Sequence, residues 1–154
     1  MADTLMSSGL KKFSPEQGLE KRKILATTEK GKTYRIVMSP ARHCAVYSVD
    51  GYIIKEGDKC DKLVLVENDD ANHWTEVFVE LKGKNISHAI CQLRETIKNP
   101  LFCHQSITTK WARIVGQSFP RSTGNSIVEK ARDEFKEKYG VQLDGWSSRK
   151  EDRI

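Results

Sequence analysis

An alternating stretch in the middle of the chain constrains the fold more than any other feature. In Glu76-Val77-Phe78-Val79-Glu80-Leu81-Lys82-Gly83, Val77, Val79 and Leu81 alternate with more polar positions. Side chains two residues apart on a strand share a face, so Glu80 and Lys82 are predicted to project together, opposite the aliphatic residues. Gly83 ends the predicted strand. The simplest interpretation of Glu80 beside Lys82 is a single surface ion pair.

A second apolar strand upstream suggests a more specific interpretation. Asp61 comes just before Leu63-Val64-Leu65-Val66, and the Glu80 strand follows it along the chain. Two acids and a lysine at the edges of neighbouring strands predict a divalent-metal site suited to phosphodiester cleavage. Asp50 is a rival for the first acid, although Asp50-Gly51 is also fully explained as a turn.

Composition limits the class of protein. The 154 residues contain 38% hydrophobic and 31% charged residues, which is typical of one globular domain with a polar surface. The net charge of +5 is compatible with a polyanionic partner. No apolar run reaches membrane-spanning length, and the N-terminus has no secretory pattern, so we expect a cytoplasmic protein without membrane contact. We expect a flexible leader over 1–13, a single domain over 14–144 and a frayed, charged tail over 145–154.

The remaining patterns predict the element order. Ser14-Pro15-Glu16 is typical of a helix start, and the predicted helix runs to about Ala26. Several strands follow, then a helix from Asn85 to about Asn99, a strand from Trp111 and a helix that ends at Gly140. This order predicts an α/β (α+β) fold, with a central mixed β-sheet flanked by helices.

At this point the residues resemble a known group of enzymes. Asp61, then Glu80-Leu81-Lys82 on the following strand, then Gln92 on the next helix, is similar to the PD-(D/E)XK nuclease superfamily. That superfamily includes type II restriction endonucleases and archaeal Holliday-junction resolvases. The resemblance covers about residues 14–116 and implies helices on both sides of a mixed sheet, in the order helix, strand, strand, strand, helix, strand. Cys60 stands before the aspartate in place of proline.

The resemblance also implies roles for particular residues. Asp61, Glu80 and the Leu81 carbonyl would hold Mg²⁺ or Mn²⁺, and Lys82 would orient water or stabilise developing charge. Gln92 would touch the metal-bound water or the backbone. An acid on the first helix would add a metal ligand, and both Glu20 and Glu16 are candidates for that role.

Further residues are candidates for contact with nucleic acid. His88 lies one turn before Gln92 and could contact a phosphate, although a solvated helix histidine is the alternative. Lys110, Arg113 and Arg121, with Trp111 between them, could form a backbone-contacting patch or simply a solvated face.

The sequence thus predicts a metal-dependent nuclease, with DNA favoured over RNA as substrate. A homodimer or a larger complex is left open. Two alternatives remain: a catalytically inactive nucleic-acid-binding or protein-interaction module of the same fold, and a subunit of a larger defence or repair complex.

Overall fold

The computed structural model describes residues 13–57, 59–68, 72–81, 85–116 and 126–154. Within these residues, seven strands form one mixed sheet and two α-helices pack against it. The strands are β1 (Gln17–Glu29), β2 (Lys32–Ser48), β3 (Lys62–Glu67), β4 (Trp74–Glu80), β5 (Ile107–Val115), β6 (Val141–Trp146) and β7 (Glu151–Arg153). The helices are α1 (Ile86–Ile97) and α2 (Ser126–Glu134), and a π-helical turn, Phe135–Tyr139, continues α2.

The sheet combines an antiparallel meander with a parallel half. Strands β1 to β4 pair in sequence order and antiparallel, whereas β5 pairs parallel to β4 and β6 parallel to β5. Helix α1 connects β4 to β5, and α2 connects β5 to β6, as parallel neighbours require a crossover connection. The predicted mixed sheet with helices is therefore confirmed.

The two faces of the sheet are covered by different elements. Alternate residues of β3 and β4, such as Leu63 and Phe78, pack with Leu93 of α1 and Phe135 after α2. The intervening aliphatic residues of the same strands form a second cluster, and the partners of that cluster come mainly from β1 and β2. Both strands are buried on both faces, which explains their nearly continuous apolar sequence. In the described part of the chain, helices cover one face only, so the implied helices on both sides are not found.

The β1–β2 hairpin folds back over the sheet. Ser48 at the end of β2 pairs with Lys62, while Lys32 at the start of β2 pairs with Glu29 across the hairpin tip. Ser48 follows Lys32 by sixteen positions, which is about 50 Å of extended strand. The Glu29 Oε1 and Lys62 Nζ atoms are nevertheless 3.5 Å apart. The tip of the hairpin therefore returns to the start of β3.

The predicted first helix is wrong, because residues 17–29 form β1. The helix-start signal at Ser14-Pro15-Glu16 is outweighed by pairing with β2. Lys30 and Gly31 both adopt positive φ, at 52° and 76°. This is the two-residue turn that joins the strands of a tight hairpin.

The C-terminal tail is also ordered differently from the prediction. Glu151–Arg153 forms β7 and pairs parallel with Arg35–Val37 of β2. Asp152 in β7 is 6% exposed. The predicted leader lies outside the described residues except for Phe13, whose ring packs edge-on against Tyr52.

Candidate functional site

Asp61 and Glu80 lie side by side at one end of β3 and β4. Asp61 immediately precedes β3, and Glu80 is the last residue of β4. The Asp61 amide donates to the Val79 carbonyl at 3.1 Å. The Leu81 amide in turn donates to Asp61 Oδ2 at 2.7 Å. Asp61 is 2% exposed and Glu80 is 1% exposed, so both residues are buried.

The electrostatics of Cys60 also indicate that both carboxylates are close. Burial raises the pKa of the Cys60 thiol, and the charges of Glu80 and Asp61 raise it further. Both carboxyl groups therefore act electrostatically on the same buried thiol.

The hairpin tip adds a third acid to this place. Burial raises the pKa of the Glu29 carboxyl, and the adjacent Asp61 carboxylate raises it further, while Lys62 opposes the shift. Glu16 also reaches the site, where it accepts a hydrogen bond from Lys62 Nζ. We call the group formed by Glu16, Glu29, Asp61, Lys62 and Glu80 the acidic corner.

Lys62 is the cation at the acidic corner. Its side chain is 5% exposed and its Nζ also donates to Ser48 Oγ at 3.1 Å. Burial alone would lower the pKa of Lys62, but the carboxylates of Glu16 and Glu29 outweigh that effect and raise it. Lys62 thus neutralises charge on Glu16 and Glu29, and the Asp61 carboxylate lies against Glu29, so this concentration of carboxyl groups among the described residues favours a cation.

The donor set fits a hard divalent cation such as Mg²⁺. Within the described ranges, no three or more His, Cys, Asp or Glu residues are arranged as a ready-made metal cage. Mg²⁺ does not require such a cage, since it keeps several waters and is usually bound by one or two carboxylates together with substrate phosphates. Asp61 and Glu80 supply that pair of carboxylates.

Helix α1 holds the segment that leads into Asp61. The Gln92 side chain, on a residue 7% exposed, donates from Nε2 to the Lys59 carbonyl at 3.1 Å. Thr96 Oγ1 accepts from the Cys60 amide at 2.8 Å. Gln92 therefore contacts the main chain of the segment that leads into Asp61, and its implied contact with the metal-bound water or the backbone stays a prediction.

Other predicted site residues make contacts with residues that are not part of the acidic corner, or lie outside the described residues. His88 is exposed in the first turn of α1, and its amide is capped by Asn85 Oδ1. Asp50 lies in a turn, in agreement with its interpretation as a turn residue, and its Oδ1 is 3.6 Å from Lys59 Nζ. Lys82 and Arg121 lie outside the described residues.

Glu20 is not on a helix and does not reach the acidic corner. It lies on β1 opposite Cys44, which pairs with Val66 near the far end of β3 from Asp61. Its side chain is 74% exposed and pairs with Arg22 at 3.1 Å. Of the two candidates for the additional acid, Glu16 is the one at the corner.

Arg113 is a buried structural residue, so its predicted contact with nucleic acid is wrong. It is 3% exposed, and its Nε donates to Asp152 Oδ2 at 2.7 Å. Its guanidinium carbon lies 4.7 Å from the Trp111 ring centroid and 5.1 Å from that of Trp146. Arg113 was expected at the surface because the strand β7 that covers it was not predicted.

Lys110 lines a cavity that is open to the surface. The cavity has a volume of about 520 Å³ and lies between β5, β6 and α2, where Arg132, Lys136 and Asp133 also line it. The charge of Lys110 also acts on Glu76, which lies opposite it across the β4–β5 pair.

Glu29 and Lys62 are the residues of the corner that sequence reasoning missed. Lys62 adjoins Asp61 in sequence, so its proximity was available as a signal. Glu29-Lys30-Gly31-Lys32 carries a tight-turn signal that could have revealed the hairpin. Nothing local in the sequence indicates that the hairpin folds back to Asp61.

Comparisons with known proteins identify no relative. No protein-family model, curated protein or solved structure matches this chain. Among the described residues, none of the helices has the length and apolar character needed to cross a membrane.

Proposed function

We propose that this protein is a metal-dependent nuclease that hydrolyses phosphodiester bonds, with DNA favoured as the substrate and Mg²⁺ or Mn²⁺ as the cation. The observation that carries the proposal is the acidic corner, where Asp61 and Glu80 are buried at adjacent strand ends and Glu29 lies against Asp61. Carboxylates gathered in this way repel one another, and a divalent cation would relieve the repulsion.

The connectivity of the fold supports the same proposal. The nuclease resemblance implies the order strand, strand, strand, helix, strand around the acidic residues. This part of the order is matched by β2, β3, β4, α1 and β5. Strand β1 stands where the implied order has its first helix. The acid that this helix would supply is replaced by Glu16, just before β1, and by Glu29, at the end of β1.

The residues of the corner have separable tasks. Asp61 and Glu80 would hold the cation, and the Leu81 amide keeps the Asp61 carboxylate in place. When bound, the cation would neutralise phosphate charge and lower the pKa of an attacking water. Lys62 would stabilise negative charge on the phosphate, and the resemblance implies the same role for Lys82. Gln92 and Thr96 keep the Asp61 segment fixed against α1.

Plasmid DNA, single-stranded DNA and RNA incubated with Mg²⁺ or Mn²⁺ test the proposal. We expect cleavage by the wild-type protein and a loss of about 100-fold or more for Glu80→Gln and Lys82→Ala. Glu20→Gln makes the same chemical change at an exposed position outside the corner and should cleave normally. Circular dichroism melts of each variant verify folding. Equal cleavage by Glu80→Gln, or no wild-type cleavage with either metal, contradicts the proposal.

One observation favours a second candidate function, a non-catalytic nucleic-acid-binding module. Lys21, Lys23 and Lys30 on the β1–β2 hairpin are exposed, and such cations bind a nucleic-acid backbone without any metal. Calorimetric titration with Mn²⁺ separates the two functions. A folded protein that binds nucleic acid but takes up no Mn²⁺ supports the module, and Mn²⁺ binding that is lost in Glu80→Gln supports the nuclease.

A further inference from the structure

The net positive charge of the chain resides in one element. Residues 17–48, which form the β1–β2 hairpin, contain seven Lys or Arg and two Glu, a net charge of +5. The whole chain has 26 Lys or Arg and 21 Asp or Glu, which is also +5. All other residues taken together are therefore neutral, and the hairpin accounts for the basic character of the protein.

The lysines of the hairpin are placed at its surface. Lys21, Lys23 and Lys30 are exposed, and Lys32 is partly buried. None of the four forms an ion pair with a residue that the structure describes. Arg22, by contrast, donates a hydrogen bond from its guanidinium to the Cys44 carbonyl oxygen at 2.7 Å. The lysine charges are thus available to an external anion.

The fold brings this charge to the acidic corner. Lys30 is in the turn at the tip and Lys32 follows the turn, and both are close in sequence to Glu29, which lies against Asp61. Lys21 is nine residues before Lys30, at most about 30 Å of strand, close to one turn of B-form DNA. A phosphate chain that follows the hairpin from Lys21 to Lys30 would arrive at the corner. The corner itself repels phosphate through its carboxylates, so binding energy for a polyanion must come from elsewhere.

We propose that the β1–β2 hairpin is the surface that binds the nucleic-acid backbone and delivers a phosphodiester to the acidic corner. The inference rests on the proposed nuclease function, whose substrate the hairpin would position. Binding through lysine–phosphate contacts releases counterions, so the affinity must fall as salt rises. A two-stranded β-ribbon is also narrow enough to enter a DNA major groove.

A salt series of binding measurements tests this inference apart from catalysis. The probe is a fluorescein-labelled DNA duplex, and anisotropy is read in EDTA so that no cleavage occurs. The hairpin variant carries Lys21→Gln, Lys23→Gln and Lys30→Gln. The matched control carries Lys130→Gln, Lys136→Gln and Lys138→Gln, three exposed lysines in the helical layer on the opposite face of the sheet. Both variants lose three positive charges, so they differ only in where the charge is removed.

The hairpin variant should bind more weakly, and its slope of log affinity against log salt should be shallower by about 1 per lysine, or about 3 in total. The control should keep the wild-type slope. A hairpin variant that keeps the wild-type slope, or a control that loses as much, overturns the inference. The cleavage assay judges the nuclease proposal separately. Wild-type cleavage with an unchanged hairpin slope refutes this inference but not the nuclease. Hairpin-dependent binding without cleavage refutes the nuclease, and with it the delivery step, but leaves the hairpin as the nucleic-acid-binding surface.

Discussion

At the residue scale, Glu76 is a carboxylic acid inside the core of the sheet. It is fully buried on β4, and neither carboxyl oxygen has a hydrogen-bond partner among the described residues. Burial raises its pKa to about 8, while the charge of Lys110 lowers it slightly. Glu76 is therefore protonated in the folded protein at neutral pH, unlike the same side chain in the unfolded chain.

This difference predicts how stability depends on pH. The unfolded chain loses the Glu76 proton near pH 4.5, whereas the folded protein keeps it to about pH 8. The folded state therefore binds more protons than the unfolded chain between these pH values. The contribution of Glu76 to the free energy of unfolding consequently falls as pH rises from about 4.5 to about 8. Glu76→Met should stabilise the protein by about 2–4 kcal/mol near pH 8, and by under about 1 kcal/mol near pH 5. Urea unfolding at both pH values measures this.

The exposed Glu137→Gln is the control for Glu76→Met. It should change the free energy of unfolding by less than about 0.5 kcal/mol at either pH. An equal gain from Glu76→Met at both pH values would show that ionisation of this carboxyl is not what costs stability.

At the element scale, β7 is held by a buried ion pair. Asp152 Oδ2 accepts from Arg113 Nε and from the Tyr34 hydroxyl, each at 2.7 Å, and thereby ties β7 to β5 and β2. Burial raises the pKa of Tyr34, and Asp152 raises it further. The charges in residues 145–154 led to the prediction of a frayed tail. One of these charged residues, Asp152, instead forms a buried ion pair with Arg113. Arg113 is 39 residues earlier in the chain, and local sequence patterns do not indicate contacts over such a separation.

Removing the carboxylate of this pair should be costly. Asp152→Ala leaves the Arg113 guanidinium buried without its counter-charge, so we expect a loss of about 3–5 kcal/mol in the free energy of unfolding. Glu151→Ala, on the same short strand but with an exposed ion pair, should cost less than about 0.5 kcal/mol. Thermal or urea melts of both variants decide the point. Equal losses would mean that the strand, and not the buried pair, determines stability here.

The elements also show what the sequence can and cannot predict. Strands β3 and β4 and helix α1 were predicted because strong local patterns specify them: continuous apolar runs, alternation, and an apolar stripe at helical spacing. Strand β1 was mistaken for a helix because the residues at its start resemble a helix cap. Its strand conformation is set by pairing with β2, which the local sequence of β1 does not indicate. Propensity is a weak guide where tertiary pairing decides.

At the scale of the whole molecule, charge is separated between two connected places. The hairpin carries the net positive charge, and its tip contacts a corner with an excess of carboxylates. Asp61 and Glu80 were predicted to lie together from strand order alone, and the hydrogen bonds of Asp61 to Val79 and Leu81, on either side of Glu80, agree with this. Glu29 was not predicted, because its proximity depends on the fold-back of a ribbon about 50 Å long. The nuclease function itself stays a prediction.

The central claim is that the acidic corner binds a divalent cation. The most direct measurement is anomalous diffraction from crystals of the wild-type protein soaked in Mn²⁺, with Glu80→Gln crystals as the control. We predict an anomalous peak between the carboxylates of Asp61 and Glu80 that disappears in the variant. Wild-type density that shows no Mn²⁺ at this position, or that places Mn²⁺ only at other sites, would contradict the account.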